Sequence, residues 1–188
     1  MRIDWSTDAG KLVALEPAPD DVVEHAAELA SGYNEPTNAS LMGHTDVIEP
    51  DEIVEHYADM IEEGARPFLF FLDGALAGDG DLRGIRTGAA EFAFMIGARA
   101  AQGKGLGTRF AIMVHAFGFS VLGLARIYAS VVPHNAASRR VFEKLGYIDD
   151  DSPAAREYAD EPGDVTMVVD RVTFETRHAA QLAAIRFR

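Results

Sequence analysis

The chain has 188 residues, the size of one domain rather than two, because chains usually divide only beyond roughly 250–300 residues. It holds 30 Asp and Glu residues against 17 Lys and Arg residues, a formal net charge of −13, and such a chain repels a phosphate backbone, so general nucleic-acid binding is not expected. It contains no cysteine, which excludes disulfides, thiolate metal ligands and a covalent cysteine nucleophile.

The acidic charge has two interpretations, and composition leaves both open: it keeps the protein soluble, or it favours a cationic substrate. Residues 1–8 contain two acids where a signal peptide needs an apolar stretch. The longest uncharged run, 110–125, is shorter than the roughly 20 residues of a membrane span. We therefore expect a cytoplasmic protein with no membrane partner.

The first third of the chain predicts one short strand and two helices. A strand over 11–15 is followed by two prolines, and a helix over 22–31 begins after a pair of aspartates. The segment 32–45 is rich in Asn, Gly, Pro and Thr and predicts a loop. A second helix begins at Pro50, keeps a 3.6-residue apolar period and ends at Gly64.

The remainder of the chain predicts strands that alternate with helices. Strands are predicted over 67–72, 75–85, 91–96, 126–132 and 164–174, and helices over 105–122 and 135–145. Glycines make 75–85 a weak, bulged strand, and 149–161 is an acidic loop. This order predicts the α/β class with a mixed sheet.

The most informative stretch is glycine-rich and joins the strand 91–96 to the helix 105–122. Residues 102–108 have the sequence Gln-Gly-Lys-Gly-Leu-Gly-Thr, and alternate glycines let the backbone turn tightly so that its amides converge at a helix N-terminus. Converging amides of this kind can bind a phosphate group. The alternative is an ordinary glycine-rich turn with no ligand. The spacing fits neither a Walker A loop nor a dinucleotide fingerprint, whose third glycine would fall at Thr108, so a nucleotide-binding protein is not expected.

Three consecutive segments resemble the GNAT superfamily of N-acetyltransferases. Residues 102–107 match its pattern of Gln or Arg, two residues, Gly, one residue, then Gly or Ala. Residues 91–97 resemble its fourth strand, and 132–147 resemble its final motif of Asn, two residues, Ser, then Gly and an aromatic residue. The final motif looks most like the branch of the ribosomal-protein alanine and serine N-acetyltransferases.

The resemblance covers about residues 88–148 and implies a fold. We expect a mixed, mostly antiparallel central sheet of about seven strands, flanked by helices and splayed between the strands 91–96 and 126–132. A single acetyltransferase domain would span 1–175. A C-terminal tail over 176–188 would be helical or lie at an oligomer interface, which makes a homodimer an expectation.

The resemblance also implies that acetyl-coenzyme A is the acyl donor and that no metal takes part. The backbone of Met95 and Ile96 would pair with the pantetheine arm, and the pyrophosphate would lie on the glycine-rich turn. Asn135 would hydrogen-bond the arm, although it is equally suited to capping a helix. The cofactor-binding residues implied are Met95, Ile96, Gln102, Gly103, Lys104, Gly105, Leu106, Gly107, Thr108, Asn135 and Ser138.

The implied reaction is direct attack of a neutral amine on the thioester. Glu91 matches the acidic residue that many relatives use as general base, and a solvated glutamate at a strand end is the alternative. Many relatives place a Tyr acid where this chain has Phe142. Ser138 matches the Ser of the similar branch and would hydrogen-bond the leaving thiolate; alternatively it caps the helix and solvent protonates the product.

The acceptor would be a primary amine, either a protein N-terminus or a small amine. We expect Tyr33 and His44, in the segment 32–45, to contact it. A second class of function stays open: a non-catalytic coenzyme A-binding or partner-binding module on the same scaffold. The missing Tyr acid favours that class, whereas Glu91 and Ser138 oppose it.

Overall fold

The structure is a computed structural model that describes residues 1–43, 46–97 and 102–188. Its nine strands are β1 Arg2–Thr7, β2 Gly10–Leu15, β3 Arg66–Leu72, β4 Ala75–Arg86, β5 Ala89–Met95, β6 Arg126–Val131, β7 Ile148–Asp149, β8 Val165–Asp170 and β9 Arg186–Phe187. Its seven helices are α1 Pro19–Tyr33, α2 Pro36–Met42, α3 Pro50–Glu62, α4 Leu106–Ser120, α5 Ala136–Leu145, α6 Pro153–Arg156 and α7 Arg171–Leu182.

All nine strands belong to one sheet, in the order β7-β8-β6-β5-β4-β3-β2-β1-β9. Across the described ranges, neighbouring strands run antiparallel except β5 and β6, which are parallel. The predicted fold class, a mixed and mostly antiparallel sheet flanked by helices, is confirmed. The strand number is corrected from about seven to nine because β1 and β9 add an edge that was not predicted.

The strands β5 and β6 separate before either of them ends. They pair only from Ala89 opposite Arg126 to Glu91 opposite Tyr128, although β5 continues to Met95 and β6 to Val131. On its outer side each strand stays paired, β5 with β4 and β6 with β8. A V-shaped gap therefore opens in the middle of the sheet, and the predicted splay is confirmed.

Helices cover both faces of the sheet. The helices α4, α5 and α7 contact one another on one face, and α1 packs with α3 on the other. On β5, Phe92 and Phe94 each make an edge-to-face contact with Phe142 of α5. Because side chains alternate along a strand, Glu91 and Met95 point to the opposite face, where Met95 meets α1 and α2.

Three sequence-based element predictions are wrong in the structure, and one is the loop predicted over 149–161, which contains α6. The strand predicted over 164–174 ends at Asp170, because the Asp170 carboxylate accepts the Thr173 amide at 2.9 Å and caps α7. The segment 32–45, predicted as a loop, contains α2, which Glu35 caps and Gly43 ends in a left-handed conformation. The chain over 176–188 forms the end of α7 and then β9, which pairs with β1.

Candidate active site

A cavity of about 420 Å³ lies beside the splayed end of β5, within the 300–1,000 Å³ range of small-molecule sites. Its walls come from α2, β5, the glycine-rich turn, the first turn of α4, and α5. The lining residues are Asn38, Leu41, Met42, Phe94, Met95, Ile96, Gln102, Gly103, Gly105, Leu106, Gly107, Thr108, Asn135, Ala137, Ser138, Arg140, Val141 and Lys144. All the predicted cofactor-binding residues except Lys104 are among them.

The glycine-rich turn combines left-handed glycines with a close approach of α4 to β5. Gly103 and Gly105 lie in the left-handed region with φ of 73° and 72°, which side chains disfavour. A Cβ on Gly107 would lie 3.0 Å from the Phe94 ring, so glycine lets α4 approach β5. The Thr108 hydroxyl is buried and has no hydrogen-bond partner among the described residues. An unsatisfied hydroxyl at a helix N-terminus fits a bound phosphate group.

Two predicted cofactor-binding side chains are hydrogen-bonded within the protein. The Gln102 amide donates to Oδ1 of Asn38 at 3.0 Å and to the Ile96 carbonyl at 2.9 Å. The Asn135 side chain accepts the Ser138 amide at 3.0 Å and donates to the Leu41 carbonyl at 3.1 Å. Asn135 therefore caps α5, which is the alternative role considered for this residue. Both side chains also hold α2 over the cavity.

Ser138 and Phe142 occupy successive turns of α5. Ser138 is half-buried and lines the cavity. The helix cap is formed by Asn135 on the backbone amide of Ser138, so the Ser138 hydroxyl is not the capping group. Phe142 is 2% exposed and packs against Phe94 at a ring distance of 5.9 Å. The position where many relatives carry an acidic hydroxyl is here part of the core.

Glu91 lies in the sheet at the point where β5 and β6 begin to separate. It is 5% exposed and sits opposite Arg83 on β4 and Tyr128 on β6. It is therefore not a solvated glutamate. Burial raises the pKa of Glu91 to about 7, although the Arg83 guanidinium opposes this shift. A carboxyl group that titrates near neutral pH is suited to general-base catalysis.

Two further acidic residues lie on the same face as Glu91, and the sequence analysis missed them. The Asp79 carboxylate accepts the hydroxyl of Tyr33 at 2.9 Å and that of Tyr57 at 2.8 Å. Asp81 accepts the Arg83 guanidinium at 2.9 Å. The sequence did contain a signal for this polar face. Charged residues occupy positions 79, 81 and 83, every second position of the strand, and such residues share one face.

Of the two residues predicted to contact the acceptor, Tyr33 lies in the part of the chain that the structure describes. Tyr33 is brought to the acidic face by α1, where its hydroxyl meets Asp79. His44 lies outside the described residues.

Within the described ranges, no group of three or more His, Asp or Glu side chains is arranged to hold a metal ion. No helix there is long and apolar enough to span a bilayer.

Comparison with known families gives one match over most of the chain. The model of the acetyltransferase (GNAT) domain matches residues 12–148. The spermidine N(1)-acetyltransferase of Escherichia coli K12 is 33% identical over 117 residues, which cover 58% of this chain and 62% of that protein. The match thus spans less than two thirds of that relative's length.

Solved structures of similar fold include three complexes with forms of coenzyme A. Mycobacterium smegmatis RimJ with CoA-disulfide superposes with a TM-score of 0.76 at 16% identity, over 100% of this chain and 97% of that one. Spermidine N-acetyltransferase of Vibrio cholerae with CoA and spermine gives 0.68 at 20% identity, over 87% and 97%. Aminoglycoside acetyltransferase AAC(6')-Ib with coenzyme A gives 0.71 at 19% identity, over 88% and 96%. At these identities the likeness concerns the fold.

Proposed function

Because the chain belongs to the GNAT acetyltransferase family, we propose that it transfers an acetyl group from acetyl-coenzyme A to a primary amine by direct attack in a ternary complex. The proposal rests on two features that lie on either side of β5, where the strands splay. A glycine-rich cavity lies on one side of β5, and a buried carboxyl group with a pKa near 7 lies on the other.

In this proposal the cavity holds the donor, which supplies an activated acyl group. The amides from Gly103 to Thr108 and the buried Thr108 hydroxyl receive the pyrophosphate at the positive end of α4. The backbone of Met95 and Ile96 lies beyond the last β5–β6 pair, so the pantetheine arm can occupy the gap in the sheet. Asn135 and Ser138 line the opposite wall.

Two side chains act in the proposed reaction, one as a base and the other as a hydrogen-bond donor. The carboxylate of Glu91 takes a proton from the acceptor nitrogen as the nitrogen–carbon bond forms. The carbon–sulfur bond breaks, and the Ser138 hydroxyl donates a hydrogen bond to the sulfur as negative charge develops there. Phe142 carries no proton, so Ser138 is the group of α5 assigned to this stabilisation.

The relatives support an amine as the acceptor class. The Escherichia coli relative is named for spermidine, the Vibrio cholerae complex contains spermine, and the third structure is that of an aminoglycoside acetyltransferase. A protein N-terminus stays the alternative acceptor, because the motif of 132–147 resembles that branch of the family.

The test is an acceptor screen with acetyl-coenzyme A and a panel of small amines and N-terminal peptides. Release of free coenzyme A and the acetylated product, identified by mass, are measured together. We expect turnover with at least one amine and its loss in Glu91→Gln. Tight coenzyme A binding without any acetylated product across the panel would instead indicate the non-catalytic binding module.

A further inference from the structure

Arg83 lies directly opposite Glu91 in the register of β4 and β5, yet its guanidinium is bound by two other acids. Its Nε donates to one carboxylate oxygen of Asp81 at 2.9 Å and its Nη2 to the other at 3.4 Å. Its Nη1 lies 4.0 Å from the Asp160 carboxylate. Among the residues that the structure describes, no basic group lies within 4.0 Å of the Glu91 carboxylate. Glu91 is thus buried without an ion pair, although an arginine faces it.

Asp160 is fixed in place by Ser130 of β6. The Ser130 hydroxyl accepts the backbone amide of Asp160 at 3.0 Å and donates to the Asp164 carboxylate at 2.8 Å. Ser130 lies two residues beyond Tyr128, the last residue of β6 that pairs with β5. Asp160 therefore contacts both strands that flank β5: β6 through its backbone and Arg83 of β4 through its side chain.

Several charged and polar groups act on the Glu91 carboxyl group. Burial is the largest influence and raises its pKa. The groups that favour its charged form are the Arg83 guanidinium and the backbone amide of Ser130, and those that favour its neutral form are Asp160 and Asp81. The other titratable groups near this site are Tyr128 opposite Glu91, Tyr147 and, beside Asp81, His56 of α3.

The partners of Arg83 decide how strongly it acts on Glu91. An opposite charge within about 4–6 Å lowers the pKa of a carboxyl group by roughly 1–3, and a carboxylate held in such a pair is a weaker base. Asp81 and Asp160 oppose this in two ways. They take up the donors of the guanidinium, and they add negative charge to the surroundings of Glu91.

From this geometry we infer that Asp81 and Asp160 are positioning residues that hold the Arg83 guanidinium away from Glu91, so that the Glu91 carboxylate stays free to accept a proton from the acceptor amine. The inference rests on the proposed function, in which Glu91 is the base. Both aspartates act through Arg83, and neither needs to contact the substrate.

The first measurement follows the Glu91 carboxyl group by NMR in the full chain with isotope-labelled glutamate and requires no acetyl transfer. The Glu91 signal is the one lost in Glu91→Gln. Asp81→Asn should lower its titration midpoint by about 1 pH unit or more. Asp160→Asn should lower it by a smaller amount, and because Asp160 is exposed, this variant keeps the test valid if Asp81→Asn unfolds. Arg83→Gln should raise the midpoint, and Asp151→Asn, an exposed site of the same segment, should leave it unchanged.

A double variant separates the action through Arg83 from direct repulsion between acids. In the Arg83→Gln background, Asp160→Asn should shift the Glu91 midpoint much less than it does in the parent. An equal shift in both backgrounds would overturn the inference. An unchanged midpoint in Asp160→Asn would overturn it as well.

The second measurement is the pH dependence of kcat/KM with an amine that the parent acetylates. The ratio of Asp160→Asn to the parent should rise as pH falls from about 8 to 6, because more of the Glu91 carboxyl group is then ionised in the variant. A purely structural role would lower the ratio equally at every pH, and that result would overturn the inference. Shifted NMR midpoints in a protein that acetylates no amine would support the positioning role and refute the proposed function instead.

Discussion

The side-chain amide of Gln102 donates to Oδ1 of Asn38 at 3.0 Å and so fastens the glycine-rich turn to α2. Asn38 is 6% exposed, and its own amide donates to the Gly32 carbonyl at 2.8 Å. One buried side chain thus connects α1, α2 and the donor cavity. The position of α2 over the cavity depends on this residue.

Replacing Asn38 tests that connection. Asn38→Ala leaves the buried Gly32 carbonyl without its partner, which typically costs about 1–3 kcal/mol, and it removes the link to the exposed Gln102 amide, which keeps its hydrogen bond to the Ile96 carbonyl. We expect a lower melting temperature and weaker coenzyme A binding by calorimetry. Ser40→Ala, on the exposed side of α2, is the matched control. A parental affinity in Asn38→Ala would show that α2 does not shape the cavity.

Gly105→Glu should abolish coenzyme A binding, since it places a carboxylate against the proposed pyrophosphate position. Gly105→Ala separates charge from backbone strain. Its left-handed φ of 72° makes any side chain unfavourable by roughly 1–2 kcal/mol, so alanine should weaken binding only moderately. Affinities are measured by calorimetry. Equal losses in the two variants would mean that strain alone acts and that no phosphate lies there.

Glu91→Gln should reduce kcat/KM by roughly 10²–10⁴-fold, the usual contribution of positioned proton transfer. A base must be deprotonated, and the pKa of Glu91 is about 7, so the parental rate should rise with pH through that value. The variant should lose this step and keep only the rise due to deprotonation of the amine at higher pH. The exposed Glu24→Gln is the control. An unchanged profile would remove Glu91 from the mechanism.

The raised pKa of Asp79, about 6 against an ordinary 3.8, predicts a stability slope. Between these values the folded chain binds more protons at Asp79 than the unfolded chain, so the free energy of unfolding falls as pH rises from about 4 to 6. A shift of two units corresponds to about 3 kcal/mol. Urea unfolding at several pH values should show a shallower decline in Asp79→Asn. A decline as steep as the parent's would contradict the assignment.

Ser138→Ala should lower kcat about tenfold or more, because a hydrogen bond to a charged group contributes roughly 1.5–3 kcal/mol and ~1.4 kcal/mol is a factor of ten in rate. Coenzyme A affinity and melting temperature should barely change, since Asn135 supplies the helix cap. Asn135→Ala is the counterpart and should lose roughly 1 kcal/mol of stability. A parental rate in Ser138→Ala would leave solvent as the proton donor.

The residues that line the cavity proposed for the donor could be found in the sequence because their signals are local. Alternate glycines, a helix that starts at Leu106 and an Asn cap three residues before Ser138 all lie within short windows of sequence. The strands β1 and β9 could not be predicted from the sequence. The strand β9 is two residues long and is stabilised by pairing with Ile3 and Asp4 at the other end of the chain. Such pairings leave no periodic pattern.

The acidic residues of β4, Asp79 and Asp81, were missed for a different reason. The glycines of β4 suggested a weak strand, yet a Cβ on Gly78 would lie 2.0 Å from the Met95 carbonyl and one on Gly80 would lie 2.5 Å from that of Ala93. Glycine is required there because β5 approaches closely. The same residues that lowered the strand signal bring Asp79 and Asp81 against β5, a relation that only the paired strands reveal.

The gap between β5 and β6 also affects how firmly the two halves of the sheet are joined. The sheet consists of two antiparallel wings, one from β5 to β9 and the other from β6 to β7, joined by the three residue pairs from Ala89 to Glu91. Glu91 and the glycine-rich turn follow one wing, and Ser138 follows the other. Few backbone bonds oppose a change in the angle between the wings. The angle between the wings therefore depends on side-chain packing that spans both of them, including the contacts of Phe92 and Phe94 with Phe142 and those of α4 with strands of each wing.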